Sequence, residues 1–435
     1  MSQDSKNRYS RRGLITATAG GSALLAGAHL AQAQVSAPLH KLRTDAQRIN
    51  IKSITTFDVV VPPPSGTLAA VFIDQPGRLN ITCVETVSGV RGYSFMGNND
   101  QGSTDAEIKA AQVLVGQDLF AVEAHYKRGI FPWGAVEEAI WDAIGKIAGL
   151  PVCRLLGGAS LTSVPVYVTC VWDGDKTQDH IAPRQQARES LIYKQAGFKA
   201  IKLRMWRKNY NVDAEAIAEI MAAWGLGTRA MVDRTARKYK LWTYEEALGA
   251  ARALEKAGCY WLEEPLAQDD YEGNARLRRE VQIAIAGGEG YHDMKPFRLC
   301  LEHGSYEYLQ PELRFMGGVL ATRKLGVLAE TFGLKIAPHG THGLGWASRL
   351  QTSAAMGAHI LEIAVMTPPL MPDDYCKPFL PLLHGEQPFK FKDGEALVPQ
   401  WPGLGLNVDE DAIKHFRVEG LQYNPATYKC YGICP

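Results

Sequence analysis

Seven β-type apolar runs in the later part of the chain end on groups that carry charge or move a proton. KAIKLRMW carries Lys202 and Arg204, RAMVDRT carries Asp233, YWLEEP carries Glu263 and Glu264, and IAIAGGEG carries Glu289. YEYLQPEL then carries Glu312, KIAPHG carries His339, and ILEIAVM carries Glu362. Charged groups are rarely placed at the end of an apolar strand unless they are paired or hold a metal. Asp233, Glu263 and Glu289 come from successive runs. Converging without a counter-ion, they would repel and raise one another's pKa. A divalent cation removes that conflict, and an all-oxygen donor set favours Mg²⁺ first and Mn²⁺ second. Lys202 and Arg204 are two apart and so share one side of their strand. They could hold a substrate carboxylate or stabilise an enolate, or else pair with the acidic cluster. Arg204 is a poor proton acceptor, because guanidinium stays protonated at any usable pH. A glutamate and a histidine on neighbouring strands make a dyad in which Glu312 orients His339 and raises its basicity. Such a base could take the proton α to a metal-bound carboxylate, with the cation stabilising the enediolate. His342, in the Gly-rich stretch just beyond, is a rival base or substrate contact.

The elements that must position these groups follow from the hydrophobic pattern. With VPVYVTCVW in front, the runs make eight strands, alternating with helical stretches such as DAEAIAEIMAAW, TYEEALGAARALEKAG and LATRKLGVLAETFG. That alternation argues parallel strands closed into a (β/α)8 TIM-type barrel, a fold whose chemistry sits at the C-terminal strand ends. Upstream, IKSITTFDVVV, AAVFID and NITCVETVSGVRGYSF read as antiparallel strands, with Val87-Ser88-Gly89-Val90 as a hairpin turn. AVEEAIWDAIGKIAGL reads as a helix with Val136, Ile140, Ile144 and Ile147 on its apolar face. The expected fold class is therefore α/β: a TIM-type barrel with an N-terminal α+β capping domain completed by the C-terminal segment. The expected boundaries are 1–33 for an export signal, 34–160 for the cap, 161–395 for the barrel and 396–435 for a segment returning to the cap.

Composition excludes several classes. The 435 residues carry a net charge of +1, so nothing points to nucleic acid or an anionic membrane surface. The eight cysteines show no C-x-x-C spacing suggestive of zinc. A disulfide between Cys430 and Cys434, or from either to Cys376, is possible, and the other cysteines read as small core residues. At the N-terminus, Arg11 and Arg12 precede a mild Ala/Gly/Leu-rich run that ends at Ala31-Gln32-Ala33. This is similar to a twin-arginine export signal, which predicts a periplasmic or secreted protein with no stable membrane insertion once the signal is removed.

The ordered set of motifs resembles the enolase superfamily in its mandelate racemase/muconate lactonizing enzyme-like branch. The resemblance spans nearly the whole mature chain: VETVSGVRGY and AIWDAIGKIAGLPVCRLLGG, then K-L-R, MVDRT, WLEEPL, GGEG, LQPELRFMGG, PHG and PGLG. It implies Asp233, Glu263 and Glu289 as Mg²⁺ ligands and Glu264 as structural. It implies His339 as general base with Glu312 as partner, and Glu362 as a hydrogen-bonding contact to the substrate carboxylate or its enediolate. The cap would close over the mouth through loops around 62–70 and 94–102, and barrels of this kind often form homo-oligomers. Two departures stand out. Arg204 occupies the place of a second lysine that can act as a base on the opposite face, and Glu312 stands where aspartate is usual. The first argues against two-base racemisation. The expected activity is therefore Mg²⁺-dependent dehydration of a sugar acid or related hydroxy acid to a 2-keto acid, with Lys202 and Arg204 neutralising charge or binding substrate. A racemase, epimerase or cycloisomerase on the same scaffold, with Lys202 as second base, is the alternative. A non-catalytic periplasmic sugar-acid binding protein is a third reading.

Overall fold

The structure, a computed structural model, describes residues 48–62, 77–95, 107–131, 133–158, 161–172, 179–235, 241–341, 343–365 and 367–418. The expected export signal, most of both cap loops, His342, Cys430 and Cys434 lie outside the described residues. Cys376 is buried and free, as are Cys83, Cys153, Cys170, Cys259 and Cys300.

The first described strands form a hairpin-built sheet. Strands β1 (Ile51–Val60), β2 (Arg78–Thr86) and β3 (Arg91–Ser94) pair antiparallel in that order. The turn between β2 and β3 uses Gly89 at φ 86°, where a Cβ would be strained. A late strand, β14 (Arg417–Val418), adds to the free edge of β1, so the C-terminal segment completes this sheet. Helices α1 (Val122–Lys127) and α2 (Ala135–Ala148) follow. The apolar stripe of α2 buries Val136, Ile140 and Ile144 against Ile51, Ile54 and Val84 of the sheet. Gly92 lets α2 come that close: a Cβ there would meet the Ala139 carbonyl oxygen.

Periodicity did not anticipate that the polar residues of α2 are buried as well. Glu137, Glu138 and Asp142 are all nearly inaccessible. Each carboxylate accepts hydrogen bonds from outside the helix. Glu137 takes the backbone N–H groups of Val319 (2.7 Å) and Leu320 (3.0 Å). Asp142 takes those of Tyr93 (2.9 Å) and Leu404 (2.8 Å). Glu138 takes the Ser94 hydroxyl at 2.9 Å. Helix α2 thus fastens the cap sheet to the barrel.

After the short α3 (Val152–Leu155) the βα alternation begins. The strands are β4 (Ser163–Cys170), β5 (Ala200–Arg204), β6 (Arg229–Asp233), β7 (Trp261–Glu263), β8 (Ala284–Gly287), β9 (Tyr308–Leu309), β10 (Lys335–Ile336) and β11 (Leu361–Val365). The helices between them are α4 (Pro183–Gln195), α5 (Tyr210–Trp224), α6 (Tyr244–Lys256), α7 (Tyr271–Glu280), α8 (Met294–His303), α9 (Val319–Thr331) and α10 (Trp346–Met356). Parallel ladders run from β4 to β10 in sequence order, and β11 pairs parallel with β4. Backbone bonds from His359 N to Ile336 O (2.8 Å) and from Ala364 N to Thr341 O (3.0 Å) join the last two strands. The sheet therefore goes round as a TIM-type barrel.

Strand alternation stacks this barrel in layers. Tyr167, Ala200, Met231, Trp261, Tyr308, Ala337 and Ile360 form one buried apolar cluster. Two residues further along their strands stand Thr169, Lys202, Asp233, Glu263, Gln310, His339 and Glu362, all buried. A greasy floor thus carries a polar layer directly above it. The sequence expectation missed one element. A hairpin of β12 (Lys390–Lys392) and β13 (Glu395–Leu397) pairs antiparallel with the first residues of β4. Its turn is Asp393-Gly394 with φ of 53° and 82°, the conformation that favours this dipeptide.

Candidate active site

The polar layer is built from the C-terminal ends of the strands. Asp233, Glu263 and Glu289 each offer a carboxylate oxygen, and these atoms lie within 4.8 Å of one another. Thr235 fixes Asp233, donating to Oδ1 through its backbone N–H (2.6 Å) and its hydroxyl (2.9 Å). That turn places Thr235 at φ 47°, an uncommon conformation for a β-branched residue. Glu263 Oε2 accepts from Gln310 Nε2 at 2.6 Å and from the Trp261 indole at 3.3 Å. The neighbouring Glu264 turns away to accept from Gln268, so the second carboxylate of the pair serves the loop and not the trio.

Both cations of the second barrel strand pair with the acidic cluster. Lys202 Nζ reaches Glu263 at 2.8 Å and Glu362 at 3.0 Å, and stands 3.8 Å from Asp233. It also lies 5.5 Å from the centre of the Tyr167 ring, on the apolar floor. Burial opposes its charge, but Glu263 and Glu362 outweigh that and hold the ammonium's pKa above its ordinary value. Arg204 contacts Asp233 and donates to the Thr235 hydroxyl at 3.1 Å. Burial raises the Glu263 pKa, with Lys202 opposing and Glu289 and Glu362 adding to the rise.

On the opposite wall, Glu312 and His339 form a parallel bridge between their strands. Glu312 Oε2 sits 2.5 Å from His339 Nδ1. The other ring nitrogen, Nε2, faces the acidic layer, 3.5 Å from Glu289 and 3.7 Å from Glu362. Burial disfavours the charged imidazole. Glu289, then Glu362 and Glu312, reverse that and raise its pKa to about 9 in the metal-free arrangement. Burial would raise Glu312, yet Arg349 and then His339 bring it down to about 2.

Glu362 bridges the walls. It accepts from the Thr169 hydroxyl and, at 3.1 Å, from Gly340 N. Burial would raise its pKa, but Lys202, His339 and Arg204 lower it. Gly340 must be glycine, since a Cβ would overlap the Glu362 carbonyl oxygen.

All the expected site residues that are described come together in one place. Four further residues belong with them: Thr169, Thr235, Gln310 and Arg349. Thr169 and Gln310 could have been found by extending the strand alternation one layer above the apolar floor. Arg349 carries no such signal, since its helical run SRLQTSAAM is rich in polar residues and reads as solvated.

The trio fits a hard divalent cation. It is buried, all-oxygen and set around a common point, and among the described residues it is the one group of this kind with that geometry. The arrangement as a whole puts a carboxylate-clustered cation site between a fixed ammonium and an oriented imidazole. That is suited to proton transfer at carbon next to a carboxylate.

The chain is similar in sequence and fold to several known proteins. The family model described as Enolase C-terminal domain-like matches residues 183–412. Arabinonate dehydratase of Saccharolobus solfataricus is 26% identical over 361 residues, covering 79% of this chain and 92% of that protein. D-galactarolactone cycloisomerase of Agrobacterium fabrum is 31% identical over 287 residues, covering 65% and 73%. The crystal structure of L-talarate dehydratase from Polaromonas sp. JS666, complexed with Mg and L-glucarate, superposes with a TM-score of 0.67 at 23% identity, covering 85% of this chain and 98% of that one.

Proposed function

Because the chain belongs to the enolase C-terminal domain-like family, we propose that it is a Mg²⁺-dependent dehydratase of a sugar acid or a related hydroxy acid. The observation that carries this reading is His339. Its Nδ1 is tied to Glu312, and its Nε2 faces the trio of Asp233, Glu263 and Glu289. A cation held by that trio would supply the positive charge that makes the proton α to a bound carboxylate removable.

His339 Nε2 takes the α-proton. The C–H electron pair passes into the carbon–carbon bond as the enediolate forms. Lys202, buried beside Glu263 and Glu362, would supply a fixed positive charge against the negative charge that develops. Collapse of the enediolate expels the β-hydroxyl, and the proton on His339 goes to it, so water leaves and the remaining enol becomes a 2-keto acid. Lys202, ion-paired to Glu263 and Glu362, serves the dehydration as a cation, and a role as second base belongs to the racemase reading. Arg204 leaves the opposite face without a usable base.

The 31% identity to a cycloisomerase supports a second reading on the same residues. If the β-oxygen is part of a ring, expelling it opens the ring without loss of water, and the product is an isomer. One experiment separates the readings: incubate the protein and Mg²⁺ with aldonic acids, aldaric acids and their lactones, then assay 2-keto acid, water loss by mass, and solvent deuterium in recovered substrate. Keto acid one water lighter supports dehydration, an equal-mass keto product supports ring opening, and deuterium in inverted substrate supports racemisation. Tight binding with none of these would make the protein a sugar-acid receptor.

Export rests on Arg11, Arg12 and Ala31-Gln32-Ala33. A reporter fused after Ala33 should reach the periplasm only in cells with a working twin-arginine translocase. Among the described residues no helix is long and apolar enough to cross a membrane. Light scattering on the purified protein tests the expected homo-oligomer.

A further inference from the structure

We infer that Arg349 is a positioning residue for the acid–base step: its guanidinium fixes Glu312 so that one carboxylate oxygen stays aimed at His339 Nδ1. This rests on the dehydratase reading for its consequence, though not for its geometry.

Arg349 sits on α10 and is 2% exposed, on a helix whose residues Trp346–Ala355 are all buried. A permanently charged side chain in such a place is costly unless its neighbours answer the charge. One guanidinium nitrogen, Nη2, bonds Glu312 Oε1, and Nη1 donates to the Gly345 carbonyl at 3.1 Å. On the cap side, burial raises the Glu138 pKa to about 8, with Arg349 and then the bonds from Ser94 and Ser348 opposing the rise.

Glu312 Oε1 is then held by Arg349 and by the Arg314 N–H at 3.0 Å, which leaves Oε2 for the imidazole at 2.5 Å. The extra methylene of a glutamate adds a rotatable bond between backbone and carboxylate. A clamp on the far oxygen removes that freedom. The outcome matters at the other end of the ring. With Nδ1–H committed to Glu312, Nε2 is the nitrogen left to accept a proton. Without the clamp, Glu312 is free to swing or to take up a proton of its own, and the ring loses its fixed tautomer.

The test uses the full chain with Arg349→Met, Arg349→Lys and Arg349→Ala. On a sugar acid that the wild type turns over, Arg349→Met should lower kcat about 30- to 100-fold with KM changed by no more than about threefold, since misorientation costs rate more than binding. Arg349→Lys should recover only part of the loss. Millimolar guanidinium should raise kcat in Arg349→Ala and leave Glu312→Ala unmoved. A second readout needs no substrate. The proton between His339 and Glu312 should give a far-downfield NMR resonance, identified by its loss in His339→Ala. It should vanish in Arg349→Met and return in Arg349→Ala with guanidinium. Should Arg349→Met not fold, Arg349→Lys must still show the split between kcat and KM. A resonance that persists without Arg349, a wild type without such a resonance, or kcat unchanged in a folded variant would each overturn the assignment. If no acid turns over, the dehydratase reading fails, and the resonance alone decides the role of Arg349.

Discussion

The molecule buries carboxylates in two places and treats them in opposite ways. At the barrel mouth, Asp233, Glu263, Glu289, Glu312 and Glu362 face Lys202, Arg204, Arg349 and His339. At the junction of cap and barrel, Glu107, Glu137 and Glu138 are met chiefly by backbone N–H groups, an indole and a hydroxyl. Burial is equal in both places, so the partners decide the charge. Arg349 brings Glu312 down to about 2, whereas burial drives Glu107 and Glu138 up to about 8 and Glu137 to about 7. The mouth is arranged to keep charge ready for a ligand and a proton. The junction uses the same side chains as connectors, which can work half neutral.

The largest effect should fall at the mouth. His339→Ala should cut turnover on any accepted acid about a thousandfold while leaving the urea midpoint of the metal-free protein near the wild-type value. Activity within tenfold of wild type would remove the mouth's claim to chemistry. Next, Glu263→Gln should weaken Mg²⁺ binding, measured calorimetrically, on the order of 100-fold, because one of three anionic ligands is lost and Lys202 loses its nearest counter-charge. At the junction, Glu137→Ala should cost about 2 kcal/mol in urea unfolding. It strands the N–H groups of Val319 and Leu320 at the start of α9, while Mg²⁺ affinity should hold. The last effect is read as a slope against pH. An acid whose folded pKa is raised stabilises fully below its unfolded value and loses that contribution as pH rises through the folded value. The Glu138 contribution should therefore fade between about pH 4.5 and 8. Each such group can add at most about 1.4 kcal/mol per pH unit to the slope. Glu138→Gln should flatten the curve by about 1 kcal/mol per unit, and an unchanged slope would place the junction charges elsewhere.

The same contrast explains what could be read from the sequence. Strand ends are legible because each short apolar run breaks off at an ionisable residue. The mouth carboxylates and the Glu312–His339 pair therefore stood out one by one. The alternation of strands and helices gave the barrel, and the Val136, Ile140 and Ile144 stripe gave α2 its inner face. Glu137, Glu138 and Asp142 were hidden because a helical charge normally reads as a solvated face, and nothing local says that another layer covers it. Arg349 was hidden for the same reason. The β12–β13 hairpin had a local signal in Asp393-Gly394, but its flanking strands are only three residues each, too short for alternation to show.

Gly340 touches the Glu362 carbonyl with no room for even a methyl group, at the seam where the last two staves meet. An evolving or engineered relative cannot widen the cavity there or hang a new reagent from that spot. A saturation library at 340 should return glycine alone among active clones. Novel substrate preference must then be bred into other walls, leaving this edge as the hinge pin around which the remainder of the pocket is remodelled.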